Sequence, residues 1–271
     1  MKYFFDAWQG VQKKIGTAHI LLLLDYDGTL TPIAATPDKA RLAGPMKGLL
    51  RELSTRKGCS VCIISGRGLE NIRHMVNLEN IIYAGNHGFR IRGKKLRYDV
   101  TPGMHYRKTL ERIKKNLRTA LFPVSGVLFE DKGPIFCLHY RGVDKHDRTS
   151  VLKAFHELTA AAGKQGVLAV HKGKKALEIR PPVAWNKGSA ALWILAQLKR
   201  ARGPGKILPI YIGDDLTDED AFSALRSRGI TVVVGKRKKS HAQFYVKTHR
   251  EAAKMLSGLA VLFKKRPICK N

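Results

Sequence analysis

No apolar run in this chain approaches the roughly 18 residues that a membrane-spanning helix requires. The opening MKYFFDAWQGVQKK has no long apolar stretch followed by a small-residue cleavage site, so the expectation is a cytoplasmic protein without a secretory leader and without a membrane partner. Cysteine is scarce, four in 271 residues, which excludes a disulfide scaffold. Cys59 and Cys62 have C-x-x-C spacing, but no second pair completes a zinc site, and the two sit in an apolar run as small filler. Internal repeats and low-complexity tracts are absent. Negative charge is the scarcest property of all: 21 Asp and Glu face 50 Lys and Arg, for a net charge of +29. No zinc-finger pattern or aromatic-interleaved basic tract accompanies it. The charge therefore implies non-specific binding of polyanions at low salt rather than a dedicated nucleic-acid fold.

What is present begins with LLLLDYDGTL, Leu21 to Leu30. An uninterrupted apolar run reads as a strand buried on both faces, as in a parallel sheet. Asp25 and Asp27 stand at its C-terminal edge, where open α/β sheets place their ligands. Two carboxylates there are costly unless something cationic holds them. The pattern points to a metal and phosphate site.

The flanking segments alternate strand and helix: His19–Asp25, Pro45–Arg56, Cys59–Ile64, Leu69–Val76 and Ile81–Ala84, then Lys187–Arg202, Ile207–Ile212, Asp218–Arg226, Ile230–Val234 and Glu251–Phe263. This rhythm predicts a parallel sheet with right-handed crossovers. Residues 103–181 break it. They predict a helix (His105–Ala120), strands Gly126–Glu130 and Ile135–Arg141 around Lys132-Gly133-Pro134, a second helix (Asp147–Ala162), and strands Val167–His171 and Ala176–Arg180. Neighbouring strands joined by hairpin turns indicate an inserted α+β domain. The core is then discontinuous, 1–102 with 182–271. For Met1–Gly16 a helix packed on the core and a partner-contact arm remain equal alternatives.

Other strand ends carry matching chemistry. Cys59–Ile64 runs into Ser65-Gly66-Arg67, and Ile207–Ile212 into Gly213-Asp214-Asp215. Acids gathered at one edge repel each other and an incoming phosphate, and a magnesium ion resolves that conflict. Pro181-Pro182 blocks an earlier helix and Asn186 caps the next, which places Lys187 in a first turn, against the helix dipole. Beside such a site, its useful role is neutralising negative charge. Thr217 and Asp218 to Asp220 read as a capped helix start; Asp214 and Asp215 precede the cap and are not explained by it.

Taken together, DYDGT (25–29), SGR (65–67), NKG (186–188) and GDDLTDEDAF (213–222) resemble the four-motif signature of the haloacid dehalogenase (HAD) superfamily of phosphohydrolases. With GNHG (85–88) and ALEIRP (176–181) added, the chain resembles trehalose-6-phosphate phosphatases from about residue 20 to its last helix. The resemblance implies a Rossmannoid parallel-sheet core with an inserted α+β cap of the C2B-like type. It implies magnesium-dependent hydrolysis of trehalose 6-phosphate through an aspartyl phosphate, with a trehalose-6-phosphate synthase as a possible partner. Asp25 would be the nucleophile and a metal ligand. Asp27 would be the acid and base, binding metal through its carbonyl. Ser65, with Gly66, and Lys187 would hold phosphate. Asp214 would be the main remaining metal ligand, with Asp215 or Asp218 nearby. Substrate contacts would come from Arg67, Asn86 and His87 in the core and from Glu178, Lys172, Lys174 and Lys175 in the cap.

Plain alternatives stand beside these: a turn histidine for His87, a solvated helix start for Arg67, ordinary surface for each lysine. Many relatives carry arginine where this chain has Leu216, which bears on sugar specificity. Related sugar phosphatases, acting on sucrose phosphate or mannosyl-phosphoglycerate, are the nearest alternative; GNHG, ALEIRP and Thr-Asp-Glu-Asp weigh against them. A noncatalytic polyanion-binding protein is the alternative from another class, and intact Asp25 and Asp27 weigh against it.

Overall fold

The computed structural model describes residues 1–34, 39–173, 175–237 and 239–264. Two compact units emerge, Met1–Asp99 with the chain from Trp185 onward, and Val100–Ala184.

The first unit opens with β1 (Lys2–Tyr3), α1 (Trp8–Ile15), β2 (His19–Leu24), α2 (Gly44–Thr55), β3 (Cys59–Ile64), α3 (Leu69–Val76) and β4 (Ile82–Gly85), followed by β5 (Arg90–Gly93) and β6 (Leu96–Asp99). The second unit holds α4 (Met104–Leu121), β7 (Leu128–Asp131), β8 (Phe136–His139), α5 (Arg148–Lys164), β9 (Ala169–Gly173) and β10 (Ala176–Arg180). The chain then returns to the first unit through α6 (Lys187–Arg202), β11 (Ile207–Gly213), α7 (Glu219–Leu225), β12 (Ile230–Val234), β13 (Phe244–Val246) and α8 (His249–Lys264).

The first unit's sheet runs β1-β13-β12-β11-β2-β3-β4-β5-β6. It is parallel from β1 to β4, and β4-β5-β6 continue it antiparallel. The β2 run is wholly apolar because both faces are covered. Ile20, Leu22 and Leu24 pack toward Val11 and Ile15 of α1, Leu50 and Leu53 of α2, and Leu256 and Leu259 of α8. Leu21 and Leu23 pack on the other side toward Ala190 and Ile194 of α6 and Phe222 and Leu225 of α7. Helices on both faces leave the strand ends as the open edges of the layer, which is where polar groups collect.

In the second unit, the sheet order is β7-β8-β10-β9, all antiparallel. Its register alternates chemistry between faces. Phe136, Leu138, Leu177 and Ile179 join Leu110, Ile113 and Leu117 of α4 and Val151 and Phe155 of α5 in one core. The row on the opposite face pairs Glu130, Cys137, Glu178 and His171 across all four strands.

Several local features differ from the sequence expectation. The β5–β6 hairpin was not anticipated, because on an edge only one side is buried and its residues are mostly Arg, Lys and Gly; Ile91 alone is fully buried. The helix expected over Asp218–Arg226 starts as a 3-10 turn, Leu216–Asp218, before α7. Residues 1–16 pack on their own unit: β1 pairs with β13 and Phe4, Val11 and Ile15 are buried. Cys59 and Cys62 fall in separate cores on opposite faces of the sheet, so they cannot share a ligand. Among the described residues, no helix is long and apolar enough to cross a membrane.

Candidate active site

The register Leu24↔Ile63 and Ile212↔Leu24 sets the ends of β2, β3 and β11 side by side, so Asp25, Ser65 and Asp214 emerge at one edge. The Asp25 N–H still donates to the Ile212 carbonyl (2.9 Å), which ties the carboxylate to the last rung of the sheet. Next, the chain turns tightly, with the N–H groups of Leu30 and Thr31 both donating to the Tyr26 carbonyl (3.0 and 3.1 Å). Gly28 makes the turn possible. Its φ is +86°, and a Cβ there would lie 2.2 Å from Asp214 Oδ2.

Lys187 is the buried cation of the site. Asn186 caps α6 by accepting from the Ser189 N–H (2.9 Å), which fixes Lys187 at the first helical position. Its ammonium donates to Asp25 Oδ1 (2.7 Å) and Asp218 Oδ1 (2.8 Å), with 3% of its side chain exposed. Tyr211 also donates to Asp218 Oδ1 (2.8 Å), and the Asp215 N–H donates to Asp218 Oδ2 (2.8 Å).

Ligand oxygens of Asp25, Asp214 and Asp218 all lie within 4.8 Å of one another. The electrostatics reflect this crowding. Burial, then Asp218 and Asp214, push the Asp25 carboxyl well above its ordinary range, with Lys187 opposing. Burial and Asp218 push Asp214 up to about 6. Burial works against the Lys187 ammonium, yet Asp218 and Asp25 hold it above its ordinary value and keep it charged. One ammonium among three carboxylates leaves negative charge uncompensated. A cluster of hard oxygen donors in that state fits a hard divalent cation.

Asp27 stands apart from the cluster. Arg67 grips its carboxylate in a fork, Nε to Oδ2 and Nη2 to Oδ1, both 2.6 Å, while the guanidinium lies 5.5 Å from the Tyr26 ring centroid. This occupies the residue the sequence reading had assigned to substrate. Ser65 is buried and its Oγ accepts from the Arg67 N–H (3.1 Å). Gly66 lets the His87 ring approach: a Cβ there would sit 2.7 Å from Cε1. Asn86 and His87 are buried and take left-handed φ values of 54° and 57°, so GNHG is a tight corner at the end of β4.

Asp215 lies outside this group of three carboxylates. It is exposed, and its carboxylate accepts from the Leu216 N–H (2.7 Å) as the N-cap of the 3-10 turn, with Asp218 as the reciprocal partner. The cluster contains Asp218 instead. Of the two acids that the resemblance left open beside Asp214, Asp215 is thus a cap and Asp218 is the buried one.

Residues expected from the inserted segment lie in the second unit. Glu178 is held by Arg180 (Nε–Oε2, 2.9 Å) and by Lys132, whose ammonium lies 3.6 Å from Oε1 and 3.3 Å from Glu130 Oε2. His139 Nε2 is 2.9 Å from the same Glu130 oxygen. Lys172 and Lys175 are exposed, and Lys174 lies outside the described residues. Lys132 and Arg180 escaped the sequence reading because one looked like a turn residue and the other like a strand end. Tyr211 gave no signal at all within an apolar strand.

The sequence profile described as trehalose-phosphatase matches residues 23–250. The chain belongs to the trehalose-phosphatase family. A probable trehalose-phosphate phosphatase of Oryza sativa subsp. japonica is 36% identical over 276 residues, covering 95% of this chain and 73% of the rice protein. An uncharacterised glycosyl hydrolase of Mycobacterium tuberculosis is 38% identical over 223 residues, covering 79% of this chain; the chain spans only 16% of that protein's length. In fold, the C-terminal domain of the Candida albicans trehalose-6-phosphate phosphatase superposes with a TM-score of 0.76 at 24% identity, covering 96% of this chain and 97% of that one. The parallel-sheet core of this chain thus has the fold of that solved structure.

Proposed function

We propose that this chain is a magnesium-dependent phosphatase that hydrolyses trehalose 6-phosphate to trehalose and phosphate. The observation that carries the reading is the buried Asp25–Lys187–Asp218 array beside Asp214, at the sheet edge of a trehalose-phosphatase family member.

Asp25, Asp214 and the Asp27 carbonyl would hold the ion, with Asp218 alongside. Magnesium, when bound, would offset the charge of the carboxylates and of a phosphoryl oxygen. Asp25 attacks phosphorus through a carboxylate oxygen as the bond to the sugar oxygen breaks, and Asp27 gives that oxygen a proton. Asp27 then takes a proton from water, whose oxygen attacks phosphorus, releasing phosphate and restoring Asp25. Lys187 keeps the Asp25 carboxylate aimed and neutralised, and with Ser65 it holds phosphoryl oxygens. The Arg67 fork fixes the orientation of Asp27, and the proton it carries sits on an oxygen lone pair that the fork leaves free.

The segment 103–181 is read as a cap that selects the sugar, with Glu178, Lys132 and the exposed lysines meeting hydroxyl groups. Arg67, Asn86 and His87 shape the core side. A cytoplasmic location and a trehalose-6-phosphate synthase as partner belong to the same proposal. Cys59, Cys62 and Cys137 are buried and form no disulfide, as a reducing compartment allows.

The test is phosphate release from trehalose 6-phosphate, sucrose phosphate, mannosyl-phosphoglycerate and glucose 6-phosphate, with magnesium and with excess chelator. Preference for trehalose 6-phosphate, lost with chelator, is the expected result. Equal turnover of all four would withdraw the sugar assignment, and Leu216, 74% exposed, is then the first position to examine.

A further inference from the structure

The charge of +29 is not consumed by the site above, since one phosphate dianion does not require it. A large part of it is concentrated at the other end of the first unit's sheet, where the parallel strands begin. Four segments meet there, and residues 10–18, 53–58, 199–206 and 226–229 together contain ten Lys and Arg and no Asp or Glu. Hydrogen bonds join the four. The His19 N–H donates to the Lys206 carbonyl (2.9 Å), the Ile20 N–H to the Gly58 carbonyl (2.8 Å), and the Lys14 ammonium to the Gly229 carbonyl (2.7 Å). Lys206 and Lys57 therefore flank the start of β2 at roughly two strand spacings, on the order of 10 Å apart. Charges this close are within about one Debye length at physiological salt, so their potentials add.

Helix dipoles account for only part of this edge. Cations in the last turns of α1 and α6 complement the C-terminal ends of those helices. Lys57, Lys206 and Arg228 lie beyond the helix ends, in the connections to β3, β11 and β12, and all three are exposed. Among the described residues, none of these three takes part in an ion pair. The carboxylate of Glu52, in the preceding turn of α2, is already held by Arg56 (2.7 Å) and Lys264 (3.2 Å). Burial and the neighbouring Lys206 charge lower the Lys14 ammonium, the direction expected where like charges crowd without a counterion.

We infer that this strand-start edge, at the opposite end of the sheet from Asp25, binds the phosphodiester backbone of a nucleic acid. A row of exposed, unneutralised Lys and Arg at close spacing recognises phosphates, and releasing the counterions condensed on a nucleic acid supplies the affinity. None of the four segments contains an aromatic residue to stack on bases, so binding is to backbone and not to sequence. An anionic membrane fits less well. The exposed large apolar residues, Phe122 and Ile33 among them, lie outside all four segments, and durable membrane attachment needs an apolar anchor beside the basic patch.

The experiment is fluorescence anisotropy of a short labelled duplex DNA against the full chain over a salt series. The Lys57→Glu, Lys206→Glu, Arg228→Glu triple variant is compared with an Arg107→Glu, Arg112→Glu, Lys115→Glu variant on the exposed face of α4, which changes net charge equally. The edge variant is expected to lose at least ~10-fold in affinity and to flatten the logarithmic salt slope by about 3, whereas the α4 variant stays within ~3-fold of the parent. Equal losses in both variants would show diffuse charge and overturn the assignment. Edge-dependent binding to phosphatidylserine vesicles without binding to DNA would also overturn it. Thermal melting verifies folding, and a Lys57→Gln, Lys206→Gln, Arg228→Gln variant serves if the reversed one does not fold.

Discussion

Replacing Lys187 by methionine isolates the electrostatic core of the site. The two side chains have similar shape, so little packing is lost. What disappears is an ammonium bonded at 2.7 Å to Asp25 and 2.8 Å to Asp218, both buried. Removing one partner of a buried ion pair typically costs about 3–5 kcal/mol, because the remaining charge is left uncompensated. Here two carboxylates are orphaned, and Tyr211 and the Asp215 N–H still serve only Asp218. A loss of about 3–5 kcal/mol is therefore expected in urea unfolding at neutral pH with chelator, a large share of the ~5–15 kcal/mol typical of a whole domain. Adding Asp218→Asn should return part of the loss, with a coupling of at least ~1.5 kcal/mol between the two positions. Lowering the pH should also shrink the penalty, because protonated carboxyls do not need the ammonium. A loss below about 1 kcal/mol, or strict additivity in the double variant, would refute the reasoning.

Other positions give independent checks. Gly28→Ala forces a Cβ into Asp214 at a φ of +86°, so it should destabilise the fold by about 1–3 kcal/mol and weaken magnesium binding; Gly48→Ala, in α2 with nothing within 4 Å, should stabilise by ~0.5–1 kcal/mol. Chemical unfolding and calorimetric titration would show both, and equal effects at the two glycines would contradict the account. Asp214, pushed up from 3.8 to about 6, holds a proton more tightly folded than unfolded. Its contribution to stability is therefore fully present below pH 3.8 and is lost as pH rises through about 6, on the order of 3 kcal/mol in chelator, and Asp214→Asn should remove that slope. Protons compete with the cation at the same oxygens, so magnesium affinity should fall as pH drops below about 6; equal affinity at pH 5 and pH 7 would contradict this.

The legible parts of the fold were those buried on both faces. β2 is a continuous apolar run from Ile20 onward, and β3 and β12 are interrupted only by Ser60 and Thr231, because helices cover the sheet on each side; α6 announces itself through Asn186 at its cap. The β5–β6 hairpin gave no comparable signal, because its outer edge meets solvent and Arg92 spends its charge on Asp99 (2.8 Å). Asp25, Lys187 and Asp214 could be grouped from the sequence because strand ends and a first helical turn are fixed places in such a layer. Asp215 and Asp218 could not be ranked the same way. The difference between them is whether the chain turns once before the helix starts, and that 3-10 turn is set by a hydrogen-bond exchange between the two residues themselves. Arg67 was placed at the right edge, but its pairing with Asp27 was not legible, since that reach depends on a side-chain path between neighbouring strands.

The central claim is that Asp25 itself attacks phosphorus. The measurement that tests it most directly is phosphate release from trehalose 6-phosphate by the Asp25→Asn protein in magnesium, beside the parent chain. The amide preserves size and the place beside Lys187 but removes the nucleophilic carboxylate, so release should fall at least ~10³-fold while the protein still unfolds cooperatively. Release that persists within about tenfold of the parent would place the nucleophile elsewhere and contradict the account.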